Sequence, residues 1–238
     1  MELYLILIIA LFSIVQSIFG MGLLVFGTPT LLLMGYPFGE VLSILLPPSL
    51  TISAIQFYQL EKPKKAYLLD LLICCLPVLV LALVWTLIYD QKLNLYMLIA
   101  AILIFTALSR FFTRISNRLQ EFITHHSRSY LFIMGAVHGL SNMGGSLLSA
   151  YAVSKHNYKI EVLSCIVTGY LLFGLVQLST LSALNVLEIS ATTVISCAVA
   201  AVVYLSIGNR IFKSMKEHFY QHVFSVFMLV YAGLMIVS

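Results

Sequence analysis

Phe19-Gly20-Met21-Gly22-Leu23-Leu24-Val25-Phe26-Gly27-Thr28-Pro29 and Gly139-Leu140-Ser141-Asn142-Met143-Gly144-Gly145-Ser146 are two versions of one stretch, and their reading decides the fold. Each lies inside a long apolar segment. Each puts small residues where a lipid-embedded helix would run uninterrupted. Irregular backbone is tolerated at membrane depth only where protein or a water-filled cavity covers it. Interruptions at corresponding positions of two halves are also the sequence feature that marks the binding site of a secondary transporter.

Around these stretches the composition is that of a membrane protein. Of 238 residues, 61% are hydrophobic and 9% charged, whereas a soluble domain carries roughly 25% charged residues. Runs of about 20 apolar residues recur along the chain, each long enough to cross a bilayer core of about 30 Å as helix. The runs are continuously apolar rather than alternating, which excludes a β-barrel. The fold class expected is an all-α polytopic membrane protein with about eight apolar segments. The net charge of +4 falls in the loops, as orientation in a bilayer requires, so it gives no reason to expect a nucleic-acid partner. Cys74, Cys75, Cys165 and Cys197 lie in apolar runs without CxxC spacing, so neither a disulfide framework nor a metal or other cofactor is implied. Met1-Glu2 leads directly into apolar residues. With no basic stretch and no small-residue cleavage site, the first segment reads as retained, in a bacterial inner membrane.

The chain divides into residues 1–112 with segments one to four, a basic polar linker at 113–129, and residues 130–238 with segments five to eight. Within segment one, breaks are expected at Gly20-Met21-Gly22 and again from Gly27 to Pro29. Pro47-Pro48 should kink segment two. The halves repeat one another. Glu40-Val41-Leu42-Ser43 matches Glu161-Val162-Leu163-Ser164 at an offset of 121, and the same offset pairs Gln56 with Gln177. An offset of 122 pairs Gly20, Met21 and Gly22 with Asn142, Met143 and Gly144. Glu and Gln are scarce here, which makes their matches hard to attribute to chance.

Basic residues concentrate in loops 61–65, 110–128, 155–159 and 209–216. Eight full crossings would put two of these loops on each side, against the positive-inside rule. All four become cytoplasmic if segments one and five are re-entrant at Gly20–Pro29 and Asn142–Ser146. Three true crossings per half would then relate the halves as inverted repeats. Parallel halves of four full crossings, with a weak charge bias in the second, are the other arrangement the sequence allows.

No Asp, Glu, Lys or Arg lies in the middle of an apolar run, which argues against a carboxylate relay at the midplane. Glu40 and Glu161 read as first-turn residues favoured by the helix dipole. A helix restarting after a break has orphan N–H groups and a partial positive charge, which hold an anion without a basic side chain. The candidate binding residues are therefore Gly20, Gly22, Thr28, Ser43 and Gln56 in the first half. In the second they are His138, Ser141, Asn142, Gly144, Gly145, Ser146, Ser164 and Gln177. Gln16, Ser17, Ser49, Thr51, Thr168 and Tyr170 are further polar groups of the same kind. The competing reading of the glycines and serines is close helix packing. His218 and His222 have metal-ligand spacing but sit beside a basic loop at the start of a segment. Ser141 with His138 lacks an orienting carboxylate, so catalysis is not expected.

At these residues the chain resembles the sulfite exporter TauE/SafE family of membrane anion transporters. Gly20-Met21-Gly22, Pro29 and Gly35-Tyr36-Pro37 occupy the family's glycine-rich stretch and turn in the first half. Asn142-Met143-Gly144-Gly145-Ser146 occupies the stretch in the second, and Gly208-Asn209-Arg210 resembles the Gly-x-Arg before the last segment. The first glycine run is thinned, with Leu23 and Leu24 at expected glycines. The Gly-Thr-Ser expected early in segments two and six reads Ser43-Ile44-Leu45 and Ser164-Cys165-Ile166. The resemblance implies membrane export of a small anion such as sulfite, an organosulfonate or a carboxylate; the paired interruptions add the expectation of a permease working by alternating access. Its partners would be that substrate and the lipid bilayer, with the oligomeric state open and a homodimer among the options. A non-transporting membrane subunit or assembly factor, whose glycines serve only packing, is the alternative.

Overall fold

The computed structural model describes residues 2–89, 95–156 and 158–208, with 210, 211, 226, 229–234 and 236. Every regular element among them is helical: α1 (Glu2–Phe19), α2 (Gly22–Leu33), α3 (Phe38–Gln59), α4 (Lys65–Asp70), α5 (Leu76–Tyr89), α6 (Leu95–Phe111), α7 (Thr113–His125), α8 (Ser127–Ser141), α9 (Gly144–Lys155), α10 (Lys159–Ala183) and α11 (Ala191–Val203). A π turn, Leu71–Cys75, joins α4 to α5, and a second, Tyr204–Gly208, continues α11. The eighth predicted segment, with His218 and His222, falls mostly outside the described residues.

Burial in α1 shows what solvent the fold is built for. Leu3, Leu7 and Leu11, four residues apart, are 72%, 61% and 58% exposed, while Ser13, Gln16 and Ser17 are buried. An apolar stripe faces out and polar side chains face in, the inverse of a soluble helix and the arrangement a lipid surround demands. Among the described residues no Asp, Glu, Lys or Arg is buried. Four helices are long and apolar enough to cross a bilayer: Phe38–Gln59, Lys65–Tyr89, Lys159–Ala183 and Ala191–Gly208. A fifth forms if Leu95–Ser109 and Thr113–His125, bent by 103°, are counted as one. The protein is an all-α polytopic membrane protein.

The helices form two compact units. One holds Met1–Pro63 with Leu163–Ser214, the other Lys64–Val162 with Met215–Ser238. In the first, α1 packs on α2, α3, α11 and the Tyr204–Gly208 turn. In the second, α8 packs on α5, the Leu71–Cys75 turn, α9 and α7. Packing and sequence repeat therefore cut the chain differently: the broken segment of each half lies against the third segment of the other. Small residues allow this approach. Ser17 lies against Gly208 in one unit, and Gly139 lies against Leu79 and Ala82 in the other.

Three expectations need correction. The first segment breaks once, at Gly20-Met21, and α2 runs through Gly27, Thr28 and Pro29. Gly27 is there for packing, since a Cβ would come within 2.9 Å of Leu45. Pro29 removes one intrahelical donor in a helix buried along nearly its whole length. The segment from Thr113 is helix rather than loop, with Ile123 buried and Arg114 and Arg118 exposed. The seventh segment becomes helical only at Ala191, where Ser190 and Thr193 close a capping box. Both prolines of segment two lie inside α3, which continues through them. Glu40 and Glu161 occupy first turns, as the dipole argument expects.

Candidate functional site

The first break is held by two glutamines. The chain leaves α1 through Gly20 at φ +77, a conformation costly for any residue with a Cβ, and its N–H donates to the Gln16 carbonyl at 2.7 Å. Ending one helix and starting another orphans carbonyls on one side and N–H groups on the other. On the donor side, the Leu23 N–H donates to Gln16 Oε1 at 3.2 Å. On the acceptor side, Gln56 Nε2 donates to the Ser17 carbonyl at 3.0 Å. Gln16 is itself anchored on α3: Nε2 donates to the Ser49 carbonyl (2.8 Å) and to Ser53 Oγ (3.2 Å), and Ser49 Oγ donates to Oε1 (3.0 Å). Gly22 has no room for a side chain, because a Cβ would overlap the backbone of Val15 and Gln16. Ser13 Oγ and Gln56 Oε1 are buried without a hydrogen-bond partner among the described residues.

The second break repeats this plan with other side chains. Asn142 takes the left-handed conformation (φ 61, ψ 13) that Gly20 takes in the first, which asparagine tolerates better than most residues. Its N–H donates to the His138 carbonyl at 2.8 Å. The first N–H of α9, from Gly144, donates to His138 Nδ1 at 3.2 Å. Nδ1 therefore carries no proton, and the ring is the neutral Nε2–H tautomer. Ser141 Oγ donates to the Val137 carbonyl (2.7 Å) and accepts from the Met143 N–H (3.3 Å). Ser146 Oγ donates to the Met143 carbonyl (2.9 Å) and accepts from Thr106 Oγ1 (3.2 Å). A Cβ on Gly144 would overlap the His138 side chain.

Gln16 and His138 are separated by the same 122 residues that separate Gly20 from Asn142 and Gly22 from Gly144. Both reach from the last turn of one helix across the break to the first turn of the next. A second correspondence joins Ser43 and Ser164. Ser43 Oγ accepts from the Glu188 N–H at 3.2 Å, ahead of the seventh segment. Ser164 Oγ donates to the Glu61 carbonyl, ahead of the third. These two serines thus fasten loops. Ser43 stands 13 residues before Gln56 on α3, about 20 Å along the axis, so those two predicted residues do not share a site.

Gln56 joins Gly20 and Gly22 at the first break, and His138, Ser141, Asn142, Gly144 and Ser146 converge at the second. Gly145 is buried in the first turn of α9, Thr28 is buried midway along α2, and Gln177 is buried in α10 at the position equivalent to Gln56. Sequence reasoning weighed Gln16 only as a possible donor and missed Ser53 and Thr106. The Gln16–His138 offset was the signal that could have found the caps.

An all-helical fold with outward-facing apolar stripes and two buried, charge-free helix restarts defines the class: a polytopic membrane protein. The sequence matches the sulfite exporter TauE/SafE family over residues 5–235, and the chain belongs to that family. It is accordingly a multi-pass membrane transporter of sulfite or related anions. Neither a curated protein nor a solved structure matches it.

Proposed function

We propose that the protein is an inner-membrane permease that exports a small anion, either sulfite, an organosulfonate or a related carboxylate, by alternating access. The observation that carries this reading is the matched pair of breaks. Each starts a buried helix of 12 residues at a glycine, with polar side chains around its N-terminus. Such a helix is about 18 Å long, well short of a bilayer core, and in a re-entrant arrangement its N-terminus lies at membrane depth. The N–H groups and dipole there favour an anion. Holding the anion by dipoles rather than a buried lysine or arginine keeps binding weak enough for release. Ser141, Asn142 and Ser146 make the second break the richer in polar side chains, with the Ser141 and Ser146 hydroxyls donating to the Val137 and Met143 carbonyls until an anion competes for them, and Gly20 and Gly22 mainly allow close approach at the first. Re-entrant breaks with the basic residues of 61–65, 110–128, 155–159 and 209–216 in the cytoplasm complete the proposal.

The test is sulfite flux in inside-out vesicles, with a screen of small anions for thermal stabilisation of the purified protein. Gly144→Leu should abolish flux without preventing insertion; normal flux in a well-inserted variant would remove the second break from the site. One observation favours the packing alternative. Gly135 and Gly139 fit against the carbonyls of Cys75 and Leu79, where a Cβ would collide with backbone. If glycines served only such contacts, no anion would stabilise the protein, and it would purify with a stoichiometric partner.

A further inference from the structure

A cavity of about 220 Å³ opens in the first unit, at the end of α3 away from the break. Its lining includes Tyr36, Glu40, Ser43, Glu188, Thr193 and Ser196. Four features set what it can hold. Two carboxylates border it, and neither has an ion-pair partner among the described residues. The N-terminal turns of α3 and α11 also face it, each worth roughly +0.5 of a charge, which leaves about −1 in total. Ser196 is 1% exposed and lines the cavity, and its side-chain hydroxyl makes no hydrogen bond with any described residue. The remaining polar groups of the lining are hydroxyls, beside the apolar Leu5 and Ile44; no cluster of three His, Cys, Asp or Glu exists among the described residues to suit a transition metal.

Three of the neighbouring hydroxyls are already committed. Ser190 and Thr193 cap α11, and Ser43 bridges the Gly39 carbonyl and the Glu188 N–H. Tyr36 is pushed up to about 12 by its hydrogen bond to Tyr4, by burial, and by the adjacent Tyr4 and Glu40, so it stays a neutral hydroxyl. The two carboxylates oppose an anion, and the Ser196 hydroxyl lines the same cavity as both of them.

We infer that this cavity binds a hard monovalent cation, of which Na⁺ is the probe, through Glu40, Glu188 and Ser196 Oγ. The basic loop Lys62–Lys65 follows the opposite end of α3, which puts the cavity on the non-cytoplasmic side. Because α3 also anchors Gln16 at the first break, the cation and the break share one helix.

The experiment compares thermal unfolding of the full-length purified protein in NaCl and in choline chloride at equal ionic strength. Na⁺ should raise the unfolding temperature by about 3–5 °C at ten times its half-saturating concentration. The double variant Glu40→Gln/Glu188→Gln should lose the rise. Ser196→Ala should raise the half-saturating concentration about 5–10-fold with no change in choline chloride, and it serves if the double variant does not fold. Coincident NaCl and choline curves for the unmodified protein would overturn the inference, as would a rise retained in either variant at unchanged half-saturation. A rise given by CaCl₂ and not by NaCl would overturn the monovalent assignment. Chloride is the anion throughout, so failure here leaves the anion-transport proposal untouched.

Discussion

Replacing His138 tests whether the two breaks are built alike. His138 is fully buried, and its Nδ1 accepts the first N–H of α9. His138→Leu keeps an apolar side chain of similar bulk and leaves the Gly144 N–H buried without its acceptor, a loss of about 1–3 kcal/mol. His138→Gln should differ. Its Oε1 can take the N–H much as Gln16 Oε1 takes that of Leu23, one residue further into the restarting helix at the first break, so only the change of shape remains, below about 1.5 kcal/mol. For a chain of this length, 1 kcal/mol moves the unfolding temperature by roughly 2–4 °C. The leucine variant should therefore unfold about 2–12 °C below the unmodified protein, and the glutamine variant within a few degrees of it. Unfolding in detergent, followed by far-ultraviolet circular dichroism, reads the difference. Equal losses for Leu and Gln would show that the ring's packing matters and the cap does not. No loss for Leu would show that the Gly144 N–H finds another acceptor.

Other positions give sharper or milder outcomes. Gln16→Leu removes a side chain with four hydrogen bonds and should cost more than His138→Leu, about 3–5 kcal/mol, read as lost detergent-stable protein. At Asn142, whose φ is 61, Asn142→Ala should unfold lower than Asn142→Gly by the equivalent of about 1 kcal/mol, since glycine alone escapes the left-handed penalty. Gly22→Ala drives a Cβ into the backbone of Val15 and Gln16 and should cost about 3 kcal/mol or more. Gly35→Ala meets open space at φ +89 and should cost only the strain, about 1–2 kcal/mol; a thermal-unfolding comparison ranks the two.

The class of fold and the places where the helices stop were legible because lipid imposes a coarse rule on composition, and because glycine and asparagine stand where φ turns positive. Gly27 and Pro29 look like a second break in sequence. They are not one, because a buried helix can forgo one donor, and because glycine also serves packing, here against Leu45. The basic stretch after Phe112 reads as a linker by charge, although Ile115, Leu119 and Ile123 already carry a helical spacing. The caps were hidden for a different reason. A glutamine and a histidine share no letter, so the repeat match passed over them, and their common task is visible only as geometry. Glu40 and Glu188 lie far apart in the chain, and nothing local in the sequence pairs them.

The exchange of third segments between halves has a consequence for synthesis. The chain emerges at about 5–20 residues per second. The polar face of α1 therefore waits roughly 10–35 seconds for α11, its neighbour in the finished unit. The serines and glutamines of α3 arrive first, so Gln16, Ser49, Ser53 and Gln56 act as an early clasp that shields the face while the rest is made. A ribosome-stalled chain ending after α3 should already protect Gln16 from solvent. A chain truncated before α11 should insert yet remain open to protease along α1.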